Sequence, residues 1–311
     1  MTWIFLAVGA QFINAIVALV DKYIVTDDKA LPKPFVYAFY TCLISGAWII
    51  VYVLGLIPLP FDGFKPPSIL NVEKPTLEVV ALAFLSAYTF FIALVSMFNA
   101  LRQADASDVV PVVGAVSALG AFGLGYFFLD AQPSPNFILG IALLATGTFL
   151  VSHLHFPWKV AMNSVHSGLF FALHYVAIKG LFTITTFDNG FFWSRIALVT
   201  FALTLLLVPI YFEKISEQTK TVSKGTGLIV FGNKILAGIG TILILKATDM
   251  GDVSVVQALG GLQFVFILII GIFIGHKTPT SCGEESRRGR DVIQKAIFVA
   301  IISLGFLVLF V

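Results

Sequence analysis

Charged side chains and cysteines are scarce in this chain, and both shortages exclude large classes of protein. Only 12% of the 311 residues are charged and 58% are hydrophobic, whereas soluble domains carry about 25% charged residues. A soluble fold of this length could not bury so much apolar surface, so lipid must surround most of the chain. Two cysteines are too few for a disulfide framework or a cysteine-ligated metal site. A net charge of +2 gives no electrostatic case for a nucleic-acid partner.

Motifs for ATP-driven or hydrolytic chemistry are also missing. No GxxxxGK[ST] nucleotide-binding loop occurs, so this chain alone is not expected to pump with ATP. No HExxH sequence or Cys/His cluster indicates a metal hydrolase. We therefore expect no cofactor, no metal and no enzymatic activity.

Long apolar runs separated by short polar breaks are what the sequence has in abundance. Runs of about 20 residues recur, which is the length of a helix that crosses a hydrocarbon core of ~30 Å. The pattern predicts an all-α integral membrane protein with ten transmembrane helices. The predicted spans are 2–20, 34–57, 76–101, 108–129, 134–153, 160–182, 189–211, 226–246, 253–275 and 292–311.

Basic residues are concentrated in the loops after the odd-numbered helices. The opposite loops hold only Lys65, Lys74, Lys179 and Lys246. By the positive-inside rule, both termini are expected outside the cytoplasm, and a cytoplasm-specific reporter fused after Val311 should stay inactive. We expect a multi-pass protein of a bacterial or archaeal inner membrane, either a monomer or a homodimer.

Two segments of the chain repeat one another. ALRQADASDVVPV at 100–112 aligns with ILKATDMGDVSVV at 244–256 at a constant offset of 144. A weaker match at an offset of 157 pairs Lys22 with Lys179. Internal repeats of this kind indicate a duplicated structural unit. The chain therefore divides into two predicted units, 1–157 and 158–311.

Each predicted unit contains five helices, and the odd number has a geometric consequence. The second copy must start on the opposite side of the membrane, so the two halves are expected to be inverted. Inverted repeats place a binding site near the midplane between the halves of a transporter. Duplication in a structural or enzymatic membrane protein is the alternative.

The repeated segment also carries a family resemblance. ALRQADASDVV at 100–110, Asp130 after the fourth helix and GIALLATGTFLV at 140–151 resemble an EamA-type domain of the drug/metabolite transporter superfamily, and 244–275 resembles it again. The resemblance implies a ten-helix fold in two inverted halves that moves small metabolites. Many members carry Glu-Pro inside helix four, where this chain has Val-Ser, so the resemblance transfers no substrate.

Charged side chains inside predicted spans are the first candidates for a site, because a charge at the bilayer centre costs about 2.5–3.5 kcal/mol on insertion scales. Lys234 lies well inside helix eight and is expected to line a cavity. The alternative is a structural lysine that snorkels or binds a carbonyl group. Arg195 lies nearer the start of helix seven, where snorkelling to the headgroups is an equally good interpretation.

Uncharged polar residues supply further candidates. Gln11, Asn14 and Asp21 fall on one face of helix one, which suits a cavity wall or interhelical hydrogen bonds. Asn99 and His174 lie inside helices three and six. A single membrane histidine is more often a packing residue than a proton carrier. No acidic residue lies at the centre of a predicted span, so energy coupling is unassigned: Asp21 or His174 could carry it, or the protein could be an exchanger or a facilitator.

The duplicated aspartates are better explained as helix caps. Asp108 and Asp252 directly precede apolar runs, where a carboxylate can accept hydrogen bonds from the first backbone N–H groups. We predict both as N-caps rather than as parts of a site.

Together these features predict a secondary transporter that exports a small polar or organic-anion metabolite by alternating access. Its expected partners are that small molecule and the lipid bilayer. A flippase for lipid-linked or amphipathic drug-like cargo is an alternative with the same fold. An intramembrane enzyme or scaffold is less favoured, because no convergent acid–base pair is visible. The candidate substrate-binding residues are Lys234, Arg195, His174, Asn14, Asn99 and Gln11.

Overall fold

The regular structure of the protein is helical wherever it is described. The computed structural model describes residues 2–26, 33–54, 67–128, 135–152, 157–221 and 224–274, with five single residues between Ile297 and Val308. Its helices are α1 Thr2–Thr26, α2 Pro34–Ala47, α3 Val51–Leu54, α4 Leu77–Leu101, α5 Ala106–Phe128, α6 Pro135–Ser152, α7 Trp158–Ile184, α8 Phe187–Leu205, α9 Pro209–Thr221, α10 Lys224–Met250, α11 Val253–Ala258 and α12 Gly261–Ile274. Short 3₁₀ turns at Trp48–Ile50 and Ile69–Asn71 complete the list.

Six of these helical segments are long and apolar enough to cross a membrane. They are α1, α2 with its continuation to Val53, α4, α5, α7 and α10. The bent pair α8 and α9 makes a seventh if it is counted as one span, and α12 contains a shorter apolar helix. The predicted all-α membrane fold is confirmed at this level. The tenth predicted helix, 292–311, lies outside the described residues apart from the single positions.

The first helix is longer than predicted, and the difference moves an acidic residue into the protein. Helix α1 continues to Thr26, past the predicted end at 20. Ile24 and Val25 in this extension are fully buried, so tertiary packing continues the helix through the polar pair that ends the apolar run. Asp21 is consequently buried within the helix instead of lying at its end.

The seventh predicted helix, 189–211, is wrong at its end. Helix α8 stops at Leu205, and α9 begins at Pro209 after a bend of 97°. Proline lacks a backbone N–H and disfavours helical geometry in the residue before it, which explains the break. The end of the predicted span and the residues after it thus form a separate helix, whose Tyr211 ring packs 4.9 Å from Phe35 on α2.

The ninth predicted helix, 253–275, is interrupted rather than continuous. It consists of α11 and α12, joined by a turn at Leu259 and Gly260. The Leu262 and Gln263 N–H groups donate across this turn to the carbonyls of Leu259 and Gly260, each at 3.0 Å. Two adjacent glycines, Gly260 and Gly261, explain the interruption, because glycine weakens a helix interior.

Helices α4 and α7 pack against each other in opposite directions. Ser96 Oγ on α4 lies 2.7 Å from His166 Nδ1 near the start of α7. Ser86, earlier in α4, has its carbonyl oxygen 2.9 Å from His174 Nδ1, later in α7. Because the contacts ascend one helix as they descend the other, the two helices are antiparallel.

Helices α1 and α10 form a second antiparallel pair. Asp21, late in α1, contacts Lys234 in the first half of α10. Asn14, earlier in α1, lies beside Gly240, later in α10, and a methyl group at Gly240 would come within 2.7 Å of Asn14 Oδ1. The lack of a side chain at Gly240 therefore lets the two helices approach at this level.

Two lysines bind the C-terminal ends of neighbouring helices. Lys22 Nζ donates at 2.8 Å to the carbonyl oxygens of Leu101 and Ala104 at the end of α4. Lys179 Nζ donates at 2.9–3.0 Å to three carbonyl oxygens at the end of α10, those of Thr248, Asp249 and Gly251. The last carbonyls of a helix have no partner within it, and a cation there is favourable. We call these contacts the Lys22 clamp and the Lys179 clamp.

Candidate functional site

A buried ion pair joins α1 to α10. Lys234 Nζ lies 2.8 Å from Asp21 Oδ1, and both side chains are almost fully buried. Removing two charges from water costs several kcal/mol per ion. Each charge is therefore tolerated at this depth because the other compensates it.

Two further side chains hold the same carboxylate oxygen. Asp21 Oδ1 also accepts hydrogen bonds from the Tyr37 hydroxyl on α2 and from Asn233 Nδ2 on α10, the latter at 2.7 Å. The Lys234 ammonium lies 4.3 Å from the centre of the Tyr37 ring and 5.5 Å from that of Phe98, which adds cation–π attraction. We call Asp21, Tyr37, Asn233 and Lys234 the Asp21 cluster; it ties together α1, α2 and α10.

Arg195 on α8 is buried without a comparable partner. The residue is 2% exposed. Its Nη1 makes one long hydrogen bond of 3.4 Å to the Ser45 carbonyl, and its Nε has no hydrogen-bond partner. The guanidinium carbon lies 5.0 Å from the centre of the Phe191 ring. Among the residues that the structure describes, no carboxylate forms an ion pair with Arg195.

Helix α2 connects the two cationic positions. Tyr37 contacts Lys234, and Ser45 contacts Arg195. Ser45 lies eight residues after Tyr37 on α2, which is about 12 Å along the helix axis. Cys42 lies between them, and its thiol is within electrostatic range of both cations. The two positive charges therefore occupy neighbouring levels along one helix.

His174 links α7 to α4 near Arg195. Its Nδ1 lies 2.9 Å from the Ser86 carbonyl oxygen. A carbonyl can only accept, so Nδ1 carries the hydrogen and Nε2 is left as an acceptor in the neutral ring. The ring packs 4.9 Å from Phe90 and lies within electrostatic range of Arg195. His174 thus has a packing role and borders the Arg195 region.

The predicted polar face of α1 is present. Gln11 is buried and Asn14 is half-buried on the same side as Asp21. No hydrogen bond to either side-chain amide occurs among the described residues; the contact at this level is from Gln263 Nε2 to the Asn14 backbone carbonyl, at 2.9 Å. Both amides could therefore bind a solute between α1, α10 and α12.

Asn99 does not converge with the other candidates. Its Nδ2 donates at 2.9 Å to the Val95 carbonyl of its own helix. It lies thirteen positions beyond Ser86 on α4, which is about 20 Å along the helix. The side chain is therefore far from the level of His174.

The six predicted residues are consequently divided among four places. Lys234 belongs to the Asp21 cluster, His174 borders Arg195, Gln11 and Asn14 line α1, and Asn99 stands apart. Sequence reasoning missed Tyr37 as a partner of Asp21, because nothing in the sequence indicates which helix the first turn of α2 faces. Asn233 was recognisable as a neighbour of Lys234, but its contact with α1 was not.

The segment before α4 is bound along the start of α8. Asn71 Nδ2 donates to Asp188 Oδ2 at 2.7 Å, and the Tyr52 hydroxyl donates to the Asp188 carbonyl. Trp193 Nε1 donates to the Glu73 carbonyl at 3.0 Å. These contacts fix the first turns of α8, the helix that carries Arg195.

The duplicated aspartates act at helix ends, with one correction. Asp252 caps α11, since its Oδ1 accepts from the Val255 N–H at 3.2 Å. Asp108 lies in the first turn of α5 instead of at its cap. Asp105 occupies that position, and its carbonyl accepts from the Val109 N–H at 3.0 Å. The helix begins earlier than predicted because Ala106 and Ser107 are buried and join it.

The buried polar groups can offer charge and hydrogen bonds to a solute. In the described ranges, no three His, Cys, Asp or Glu side chains could hold a metal ion. The buried polar side chains of the same ranges include two cations, one carboxylate and several hydrogen-bonding groups.

Comparison with known proteins relates the first half of the chain to a family. A crystal structure described only as that of a protein superimposes with a TM-score of 0.65 at 16% identity, covering 99% of this chain and 96% of that one. This likeness concerns the fold alone. No curated protein sequence matches the chain. Residues 1–153 match the EamA-like transporter family, as the resemblance of the repeated segment implied. The family comparison therefore covers the first half of the chain and identifies that half as EamA-like.

Proposed function

We propose that this protein is a secondary transporter that exports a small polar or organic-anion metabolite across a cell membrane. Alternating access occurs between two inverted five-helix halves, residues 1–157 and 158–311. The family match of the first half supports transport as the activity. The substrate class and the mechanism are supported by the arrangement of helices and buried charges.

The paired lysine clamps are the observation that carries the inverted arrangement. Lys22 and Lys179, matched by the sequence repeat, each bind the C-terminal end of the third helix of their own half. Because α7 is antiparallel to α4, Lys179 lies towards the N-terminal end of α4, whereas Lys22 binds its C-terminal end. The same local contact thus recurs at opposite ends of the bundle, as inversion requires.

Contacts between the halves support the same arrangement. Helix α4 packs along α7, and its counterpart α10 packs along α1. Helix α5 packs on α7, and its counterpart α12 packs on α1. Exchanging the halves therefore maps these interfaces onto each other, and such a scaffold can hold two related packings with a shared central site.

The depth of the buried charges supports a central site. Arg195 lies about 12 Å along α8 from its start and Lys234 about 15 Å along α10, at 1.5 Å per residue. With a hydrocarbon core of ~30 Å, Arg195 lies near mid-depth, whereas Lys234 reaches Asp21 near the C-terminal end of α1. Ionisable groups at this depth generally face the bundle interior and mark solute pathways.

Transport by purified protein in liposomes tests the function. Liposomes preloaded with an unlabelled organic acid, amino acid or sugar should accumulate the labelled form of an accepted solute by counterflow, and protein-free liposomes should not. Right-side-out and inside-out cell vesicles then separate export from import. A protein that exchanges none of these three classes, although folded by thermal unfolding, contradicts the proposal.

A further inference from the structure

We propose that Arg195 is the anion-binding residue of the transport site and that it takes a single carboxylate on an apolar body, while Lys234 stays bound to Asp21. The inference rests on the proposed function and narrows its substrate class to monocarboxylates. It also gives the two buried cations, Lys234 and Arg195, separate roles.

The balance of buried charge supports a monoanion. The Asp21 cluster is neutral, because one carboxylate compensates one ammonium group at 2.8 Å. Arg195 adds a positive charge that no described carboxylate compensates. A buried charge without a counter-ion is costly. One negative charge on a bound solute would neutralise the region, whereas a dianion would leave a net charge.

The hydrogen-bonding capacity of Arg195 supports a carboxylate. A guanidinium has five N–H donors in a planar fork that matches a carboxylate with two parallel bonds. Among the residues that the structure describes, only the long Nη1 bond to Ser45 is made, and the buried Nε has no partner. Lys234, in contrast, already has a carboxylate oxygen and two aromatic rings around its ammonium group.

The surroundings of Arg195 support an apolar body for the solute. Phe191 lies under the guanidinium, and the Tyr52 ring stacks on Phe191 with ring centres 6.1 Å apart. Both of these neighbours are aromatic, so they favour a carboxylate attached to a hydrocarbon or aromatic group.

Stability in the absence of solute gives a first test. Arg195→Gln removes an uncompensated charge, so the purified variant should unfold at the same temperature as the wild type or higher. Lys234→Met leaves Asp21 without its cation, so it should unfold at a lower temperature. An Arg195→Gln variant that loses as much thermal stability as Lys234→Met overturns the proposal, because Arg195 would then be a structural cation.

Ligand-dependent stability gives the second test. Sodium benzoate should raise the unfolding temperature of the wild type, because it binds the folded state, and neutral benzamide should not. Arg195→Gln should weaken the apparent affinity for benzoate roughly tenfold or more. Arg195→Lys, which keeps the charge but loses the fork, should fall between the two.

Two outcomes of this test contradict the anion site. Benzoate could stabilise the wild type and Arg195→Gln equally, which would place binding elsewhere. The second outcome is that neither benzoate nor acetate stabilises the wild type more than it stabilises Arg195→Gln. Counterflow with the same preparations separates this failure from failure of the transport function. If Arg195→Gln exchanges a solute as fast as the wild type does, the proposed anion site is contradicted but the transport function is not.

Discussion

At the scale of single residues, Asp21 determines what Lys234 can bind. Depth in a predicted helix made Lys234 the first candidate for a substrate anion. In the structure, its counter-ion is Asp21 on α1, which lies 213 positions away in the sequence. Pattern reasoning could place each charge in a helix but could not pair them. The sequence left open whether Arg195 reaches the headgroups or lines a cavity. In the structure it is a buried cation that forms no ion pair with any described carboxylate.

Replacing Lys234 tests the ion pair. Lys234→Met should destabilise the protein by about 3–5 kcal/mol, the usual cost of leaving one buried charge without its partner. Asp21→Asn combined with Lys234→Met should recover most of that loss, since neither charge then remains. Thermal unfolding of the purified proteins measures both effects. A double variant no more stable than Lys234→Met would show that the two charges do not depend on each other.

At the scale of helices, hydropathy predicted the apolar stretches better than their ends. Helix α1 extends through Asp21 because Ile24 and Val25 pack beyond it, and only tertiary contacts reveal this. The proline at 209 and the glycines at 260 and 261 were visible in the sequence. Their effect, a sharp bend in one case and a short turn in the other, depends on the neighbouring helices.

The close approach of α2 and α10 gives a prediction with an internal control. A methyl group added at Gly238 would overlap the Trp48 indole. A methyl group added at Gly232, on the same helix, would meet no other atom within 4 Å. Gly238→Ala should therefore destabilise the protein by about 1–3 kcal/mol. Gly232→Ala should be neutral or stabilising by up to about 1 kcal/mol, because alanine favours helix. Thermal unfolding that ranks the two variants in the opposite order contradicts this packing.

The lysine clamps give a second prediction at this scale. Lys22→Met and Lys179→Met should each lower stability by about 1–3 kcal/mol, because helix-end carbonyls lose their donor. Lys159→Met, at an exposed position, is the control and should change little. The two losses should add in the double variant, since the clamps lie far apart. A double variant that loses much less than the sum would indicate that the clamps are coupled.

At the scale of the whole molecule, composition and hydropathy predicted the class, and the resemblance of the repeated segment indicated the family. The all-helical membrane fold is confirmed, and the family match covers the first half. The candidate site was less predictable, because its members come from helices far apart in sequence. Gln11, Asn14 and Asp21 were correctly assigned to one face, since helical periodicity is local. That no carboxylate pairs with Arg195 in the described part of the chain is a result of packing, which no sequence pattern encodes.

The inverted arrangement of the halves is the central claim, and the sidedness of the two repeated hairpins tests it most directly. Gln103 lies between α4 and α5, Met250 lies at the end of α10 before α11, and both are exposed. Gln103→Cys and Met250→Cys would each be introduced with Cys42→Ser and Cys282→Ser. Labelling with a membrane-impermeant maleimide in oriented vesicles then reports the side of each position.

Inversion predicts that the two positions react from opposite sides of the membrane. By the positive-inside rule, the position at 103 should react only from the cytoplasmic side and the position at 250 only from the other. Labelling of both positions from the same side would contradict the inverted halves and the alternating-access mechanism that depends on them.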